Sequence, residues 1–312
     1  MLTQFKIGHY SDEKAGTGCT VIVPPDNAIA AASVRGSSPG TREIALLAPE
    51  KKISHIHALV LTGGSAFGLG CAHGVVEALA EQGRGYQTDY GVVPIVPAAV
   101  IFDKNVGDAR AYPRWEDARS AFQQATFNNV ATGNVGAGTG ATVGKWMGME
   151  AAMKGGIGIG QLQHGPIKVT VLSVVNAVGD ILDKSGKILA GSVSREGNFY
   201  GSEHPWQRWE KARVGLAENT ILCAVMTNVR LSKQQAYFIA ERAHYGIARR
   251  VDPSHTSYDG DVVFVMALPE QDCPLDFLAA MVVHAVEESI LNAVTSTTGL
   301  FGLKSVRDLG TK

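Results

Sequence analysis

Asn219-Thr220 opens the apolar run Ile221-Leu222-Cys223-Ala224-Val225-Met226, and a short apolar run bounded by polar residues has the pattern of a buried strand. A threonine at the mouth of such a strand has a plain reading, in which its hydroxyl caps the edge. It also has a chemical one. Thr220 Oγ1 attacks the Asn219 carbonyl, the acyl group moves from nitrogen to oxygen, and water completes the cut. The new N-terminal threonine would carry a hydroxyl nucleophile together with an α-amine of pKa about 7.7–8, which can serve as that hydroxyl's base near neutral pH.

Other polar residues admit two readings each. The glycine cluster from Thr132 to Gly144 precedes Lys145. It lacks the spacing of a phosphate-binding loop, since Lys145 is followed by Trp146, and it lacks the dinucleotide fingerprint. Its glycines either allow tight backbone packing or carry Lys145 into a pocket. Asn176 ends an apolar strand, so its amide is hydrogen-bonded, either as a backbone clamp or as a donor to a developing oxyanion. Asp259-Gly260-Asp261 makes a turn, or a pair of acids that positions an ammonium group; it is too short for a calcium loop. His55 and His57 lack a third ligand at a telling distance, so neither a metal nor a cofactor is expected.

The chain has 312 residues, 45% hydrophobic and 18% charged, with net charge −1. That balance suits a globular core and offers neither a basic face for nucleic acid nor a polybasic segment for lipid. Cys19, Cys71, Cys223 and Cys273 are isolated, as expected of thiols in a reducing compartment. With no basic-then-apolar leader and no apolar run near the length of a membrane span, a soluble cytoplasmic protein is expected.

The elements that must position these residues read as mixed α and β. Cys19–Val23 and Ile29–Val34 flank Pro24-Pro25-Asp26-Asn27 and predict a hairpin. His57–Leu61 predicts a strand, followed by a helix to Gln82 with Ser65 as its N-cap. A strand is expected over 92–102 and a helix over 113–125 with Trp115 and Phe122 inward. Three strands are expected over 155–160, 167–177 and 180–190, the last holding a Lys184-Ser185-Gly186 turn. The polar stretch 191–217, with Trp206 and Trp209, reads as an exposed connection where processing at Asn219–Thr220 would be accessible. Ser232 and Gln235 form a capping box for a helix to Arg249. A strand over 261–268 and a helix over 274–294 complete the chain. Strands meeting in runs favour a layered α/β sandwich over a doubly wound sheet.

Several stretches in order along the chain resemble the L-aminopeptidase/D-amidase-esterase family, which includes β-aminopeptidases and nylon-oligomer hydrolases. They are Ala15–Thr20, Leu61–Leu69, Val96–Asp103, Gly136–Lys145, Val175–Asp180, Asn219-Thr220 and His255–Asp261. The resemblance implies an α-β-β-α sandwich of N-terminal-nucleophile type, related in architecture to ornithine acetyltransferase. It implies one hydrolase domain over 1–312, cut by itself into subunits 1–219 and 220–312, with a homo-oligomer of the processed pairs as the assembly. It assigns Thr220 as nucleophile and Lys145, Asn176, Asp259 and Asp261 as supporting residues, with Phe102 and Gly138 at the substrate. A small peptide or amide is the implied substrate. β-Aminopeptidase members carry serine, a Ser/Glu pair and tyrosine where this chain has Thr220, Asp259/Asp261 and Phe102, and the threonine with paired aspartates leans toward ω-amino-acid oligomers. An acyltransferase, or an unprocessed binding protein that keeps the pocket, are the alternatives.

Overall fold

A computed structural model describes residues 4–202, 210 and 219–309; of the exposed connection expected over 191–217, residues 203–209 and 211–217, with Trp206 and Trp209, lie outside the described residues, while residues 191–193 are buried rather than exposed. Among the described residues, nine strands and four helices carry the architecture: β1 (Lys6–Asp12), β2 (Thr17–Val23), β3 (Ile29–Val34), β4 (Leu59–Thr62), α1 (Ala72–Glu81), β5 (Ala98–Val100), α2 (Trp115–Gln123), β6 (Gly156–His164), β7 (Ile167–Asn176), β8 (Thr220–Val229), α3 (Lys233–Arg250), β9 (Val262–Gln271) and α4 (Leu275–Ser296). One sheet runs Thr41–Arg42, β5, β4, β2, β1, Thr126–Phe127; the other runs β6, β7, β8, β9, β3. In the second sheet β8 and β9 pair in parallel, and the remaining neighbours are antiparallel.

Strand alternation builds the layers. Leu222, Ala224 and Met226 of β8 join Leu172, Val174, Phe264, Ile22, Leu59 and Leu61 in the core between the sheets. The alternate residues Ile221, Cys223 and Val225 pack with α3 and α4. On the other side, Val21 and Val60 pack with Val75 and Leu79 of α1 and Phe122 of α2. The order is therefore helices, sheet, sheet, helices, as side chains pointing alternately to opposite faces require.

α4 lies close on β6 because Gly158 and Gly160 occur every second residue. A Cβ on either would come within 1.9 Å of the Ser289 carbonyl oxygen or 2.0 Å of that of Ala285. α4 is also long and apolar enough to cross a membrane, with hydropathy 1.5 over its window, although no such run was expected. Its apolar residues instead fill the core with α3 and β7. α3 carries the expected box, with the Gln235 N–H donating to Ser232 Oγ at 3.2 Å and the Ser232 N–H donating to Gln235 Oε1 at 2.9 Å.

Four further expectations require correction. β2 and β3 are not a hairpin: β2 pairs with β1 and β4, and β3 with β9 in the opposite sheet. Pro24-Pro25 offers no N–H for a ladder, and the chain crosses between layers there. Ser65 is not an N-cap: it has φ 55°, and residues Ser65–Cys71 form a 3-10 segment before α1. The expected strand over 92–102 is broken by its prolines into an exposed Gly91–Val93 strand and buried β5. Trp115, at the first turn of α2, is 46% exposed rather than inward.

Candidate active site

β8 is the central strand of its sheet, and Thr220 is its first residue. One neighbour places Asn176 directly opposite Thr220 at the end of the β7–β8 ladder. On the other side, Asn219 bridges in parallel to Asp259, just ahead of β9. Residues far apart in sequence thus converge because three strands end at one edge of the sheet. Thr220, Lys145, Asn176, Asp259 and Asp261 are all buried.

Thr220 Oγ1 donates to the carbonyl oxygen of Asn219 at 2.5 Å. The Gly260 N–H donates to that same oxygen at 2.7 Å. The hydroxyl and the peptide bond before it are therefore packed together in a site closed to solvent.

Lys145 leaves the glycine cluster at a position fixed by the backbone: Gly144 has φ 67°, and the Lys145 N–H donates to the Val178 carbonyl at 2.9 Å. Its Nζ donates to Asn176 Oδ1 at 2.9 Å and to the Asn176 carbonyl at 3.1 Å. Burial lowers its pKa to about 7; Asp259 opposes that shift, and the cation of Lys154 adds to it. Asn176 Oδ1 also accepts the Thr142 N–H at 3.0 Å, while Nδ2 donates to the Phe102 carbonyl at 3.1 Å. Phe102 thus touches the site through its backbone. Gly138 is buried against the backbone of Gly156–Ile157, where a Cβ would lie 2.4 Å from the Ile157 nitrogen, so its contacts are those of packing.

The paired aspartates have different partners. Asp261 Oδ1 accepts the Ile221 N–H at 2.7 Å, and its Oδ2 is bonded to His255 Nδ1 at 2.7 Å. Asp259 Oδ2 accepts the Thr256 N–H at 2.8 Å and Thr256 Oγ1 at 2.7 Å. Burial, then the charge of Asp261, raises Asp259 to about 6, against the pull of Thr256 and Lys145. Two carboxylates across one glycine cannot both ionise freely.

Several contributors carried no individual role in the sequence reading. His255 fixes Asp261. Lys154 is fully buried, with Nζ donating to the Thr139 and Ala141 carbonyls at 2.9 and 2.7 Å; a lysine inside Ala151-Ala152-Met153-Lys154-Gly155 was the available clue. Asp103 accepts the Gly64 N–H and Thr17 Oγ1, both at 2.7 Å, and the Gly63-Gly64 pair closes on this carboxylate. The Arg35–Gly40 loop lies on the aspartate turn: the Ser38 N–H donates to the Asp259 carbonyl at 2.9 Å and the Arg35 N–H to that of Asp261 at 3.0 Å. His55 and His57 are apart from all this, with Nδ1 of each bonded to backbone, at Ala28 and Ile95.

A Cβ at Gly36 would lie 2.2 Å from the Asp259 carbonyl oxygen and 2.4 Å from the Asp261 nitrogen. Gly36→Ala is therefore expected to cost about 1–3 kcal/mol by overpacking and to lower turnover by displacing the turn. Urea unfolding beside steady-state rates checks this; unchanged values for both would show that the loop does not brace the turn.

A model of Peptidase family S58 matches residues 3–307. The chain belongs to Peptidase family S58. Its relatives include a protein named an uncharacterized aminopeptidase from Mycobacterium tuberculosis, 34% identical over 97% of this chain and 95% of that protein. A 6-aminohexanoate-oligomer endohydrolase of Kocuria sp. is 31% identical over 85% of this chain and 73% of its own length. Among solved structures, a Burkholderia sp. β-aminopeptidase superposes with TM-score 0.72 at 21% identity, covering 98% of this chain and 90% of that one. The L-aminopeptidase D-Ala-esterase/amidase of Ochrobactrum anthropi, described as a variant of the Ntn hydrolase fold, gives 0.69 at 19% identity, covering 94% and 84%. As a family S58 member the chain is a hydrolytic enzyme, and its α/β sandwich is of the N-terminal-nucleophile hydrolase type.

Proposed function

We propose that this S58 hydrolase cuts itself between Asn219 and Thr220 and then uses the N-terminal Thr220 to hydrolyse amide bonds through an acyl ester. The observation that carries this reading is the buried contact of Thr220 Oγ1 with the Asn219 carbonyl at 2.5 Å, set between Asn176 and the aspartate turn. In the first stage Oγ1 forms a bond to the Asn219 carbonyl carbon and the C–N bond breaks. The hydroxyl proton ends on the Thr220 nitrogen, and water then cleaves the ester. In the second stage the freed amine takes the hydroxyl proton as a substrate carbonyl is attacked. Lys145, in its charged form and bonded to the Asn176 that faces Thr220 across the ladder, favours the neutral form of that amine, while Asp259 and Asp261 orient it. Asn176 donates an amide hydrogen to the oxyanion of the tetrahedral intermediate.

Substrates are amides of small amino acids or peptides, including ω-amino-acid oligomers, in keeping with the names of the aminopeptidase and endohydrolase relatives. The test is the intact mass of the purified protein beside Thr220→Ala, with amino-acid anilides and 6-aminohexanoate oligomers assayed on both. The parent should give two pieces, 1–219 and 220–312, and turnover. Thr220→Ala should give one silent chain, and a variant that is both cut and active would exclude the reading.

A further inference from the structure

The peptide before Thr220 is held by a donor to which the roles above assign no chemistry. The Asn219 carbonyl oxygen accepts the Thr220 hydroxyl at 2.5 Å and the Gly260 N–H at 2.7 Å. As Oγ1 gives up its proton to attack, the hydroxyl ceases to be a donor to that oxygen, whereas the backbone amide remains. Asn176 is committed elsewhere in the uncut chain, with its oxygen taken by Lys145 and Thr142 and one amide hydrogen by the Phe102 carbonyl.

Gly260 is held in place from three directions. The Asn219 N–H donates to the Tyr258 carbonyl at 2.8 Å, the Asp259 N–H to that of Thr256 at 3.1 Å, and the Ser38 N–H to that of Asp259 at 2.9 Å. A Cβ at 260 would lie 2.5 Å from the Ser38 carbonyl oxygen and 2.9 Å from Thr220 Oγ1. Only a glycine lets the backbone come this near the reacting atoms.

We propose that the Gly260 backbone amide is the oxyanion donor of the self-cleavage step, stabilising the charge that develops on the Asn219 carbonyl oxygen. This deepens the self-processing reading and rests on it. The oxygen that accepts Gly260 N–H is the one that becomes negative when the Oγ1–C bond forms and returns to a carbonyl when the C–N bond breaks. The hydroxyl proton ends on the Thr220 nitrogen, so no further reactant is required. A preorganised donor of this kind is worth most in a closed, dry site.

The test replaces the amide by an ester, with glycolic acid in place of Gly260, in the full chain made by cell-free synthesis. A control ester at Ser38 removes the neighbouring bond to Asp259 and leaves the Asn219 carbonyl untouched. The readout is the half-time for conversion of the 312-residue chain into its two pieces, followed by intact mass. The Gly260 ester should cleave about 100-fold or more slowly than the parent, as loss of one oxyanion donor implies, with the Ser38 ester within a few-fold of the parent. Parental speed in the Gly260 ester, or equal slowing in both esters, would overturn the proposal, the latter assigning the amide to holding the turn. A parent that itself stays whole would instead sink the self-processing reading.

Discussion

Lys145→Met is expected to slow amide turnover by about 100-fold or more, the range that one preorganised electrostatic contact in a closed site contributes. Methionine keeps much of the length and apolar stem, and the loss is confined to Nζ. That atom holds both Asn176 Oδ1 and the Asn176 carbonyl, directly across the ladder from Thr220. Lys145→Arg should not rescue, because its planar fork does not fit a site shaped for one nitrogen that meets both Asn176 oxygens. Steady-state kcat/KM would check both variants; a methionine variant within tenfold of the parent would remove Lys145 from the chemistry.

The same lysine makes a stability prediction with a definite sign. Its folded pKa of about 7 lies below the unfolded value of about 10.4, so between those values the unfolded chain binds more protons. Stability then rises with pH across about 7 to 10, and the burial penalty is fully present below 7. Lys154, lowered by burial to about 7, adds a similar slope. In uncut Thr220→Ala protein, adding Lys145→Met should reduce the gain between pH 7 and 9 by about 2 kcal/mol, read from urea midpoints. An unchanged slope would mean that burial does not lower the Lys145 pKa.

Asp261→Asn is expected to lower turnover by about 10- to 100-fold and to move the acidic limb of the pH profile downward. The carboxylate accepts at both oxygens, from the Ile221 N–H and at His255. An asparagine accepts at one only, so a buried partner is lost or forced to change tautomer, at about 1–3 kcal/mol. Removing the charge has a separate effect. Asp261 raises Asp259, which ionises at about 6 in the parent; without that neighbour Asp259 ionises at lower pH. Activity that requires ionised Asp259 should then begin to rise below pH 6. Rate profiles from pH 4 to 8 would show it, and a limb that stays in place would mean that Asp259 does not govern it.

The residues of the site were legible for specific reasons. Asn219-Thr220 stands at the head of an apolar strand, Asn176 at the end of another, and Asp259-Gly260-Asp261 just before a third, and the family resemblance joined these polar strand ends into one set. The box at Ser232 and Gln235 was legible because both partners lie within one helical turn and need no tertiary contact. The misread elements depended on distant partners. Cys19–Val23 and Ile29–Val34 have the composition of a hairpin, yet each finds its neighbours far along the chain.

The sequence by itself determined the residue types, a layered α/β sandwich through strands that meet in runs, and the family through motifs in order over most of the chain. Only the tertiary structure decided the pairing of Asn176 with Thr220, the crossing of β2 and β3 between layers, the closing of Lys145 onto Asn176, and the Gly260 amide on the Asn219 carbonyl. Local pattern fixes which face of a strand is apolar, but register and sheet membership follow from packing between segments up to hundreds of residues apart. A backbone N–H has no side chain by which a sequence could announce it.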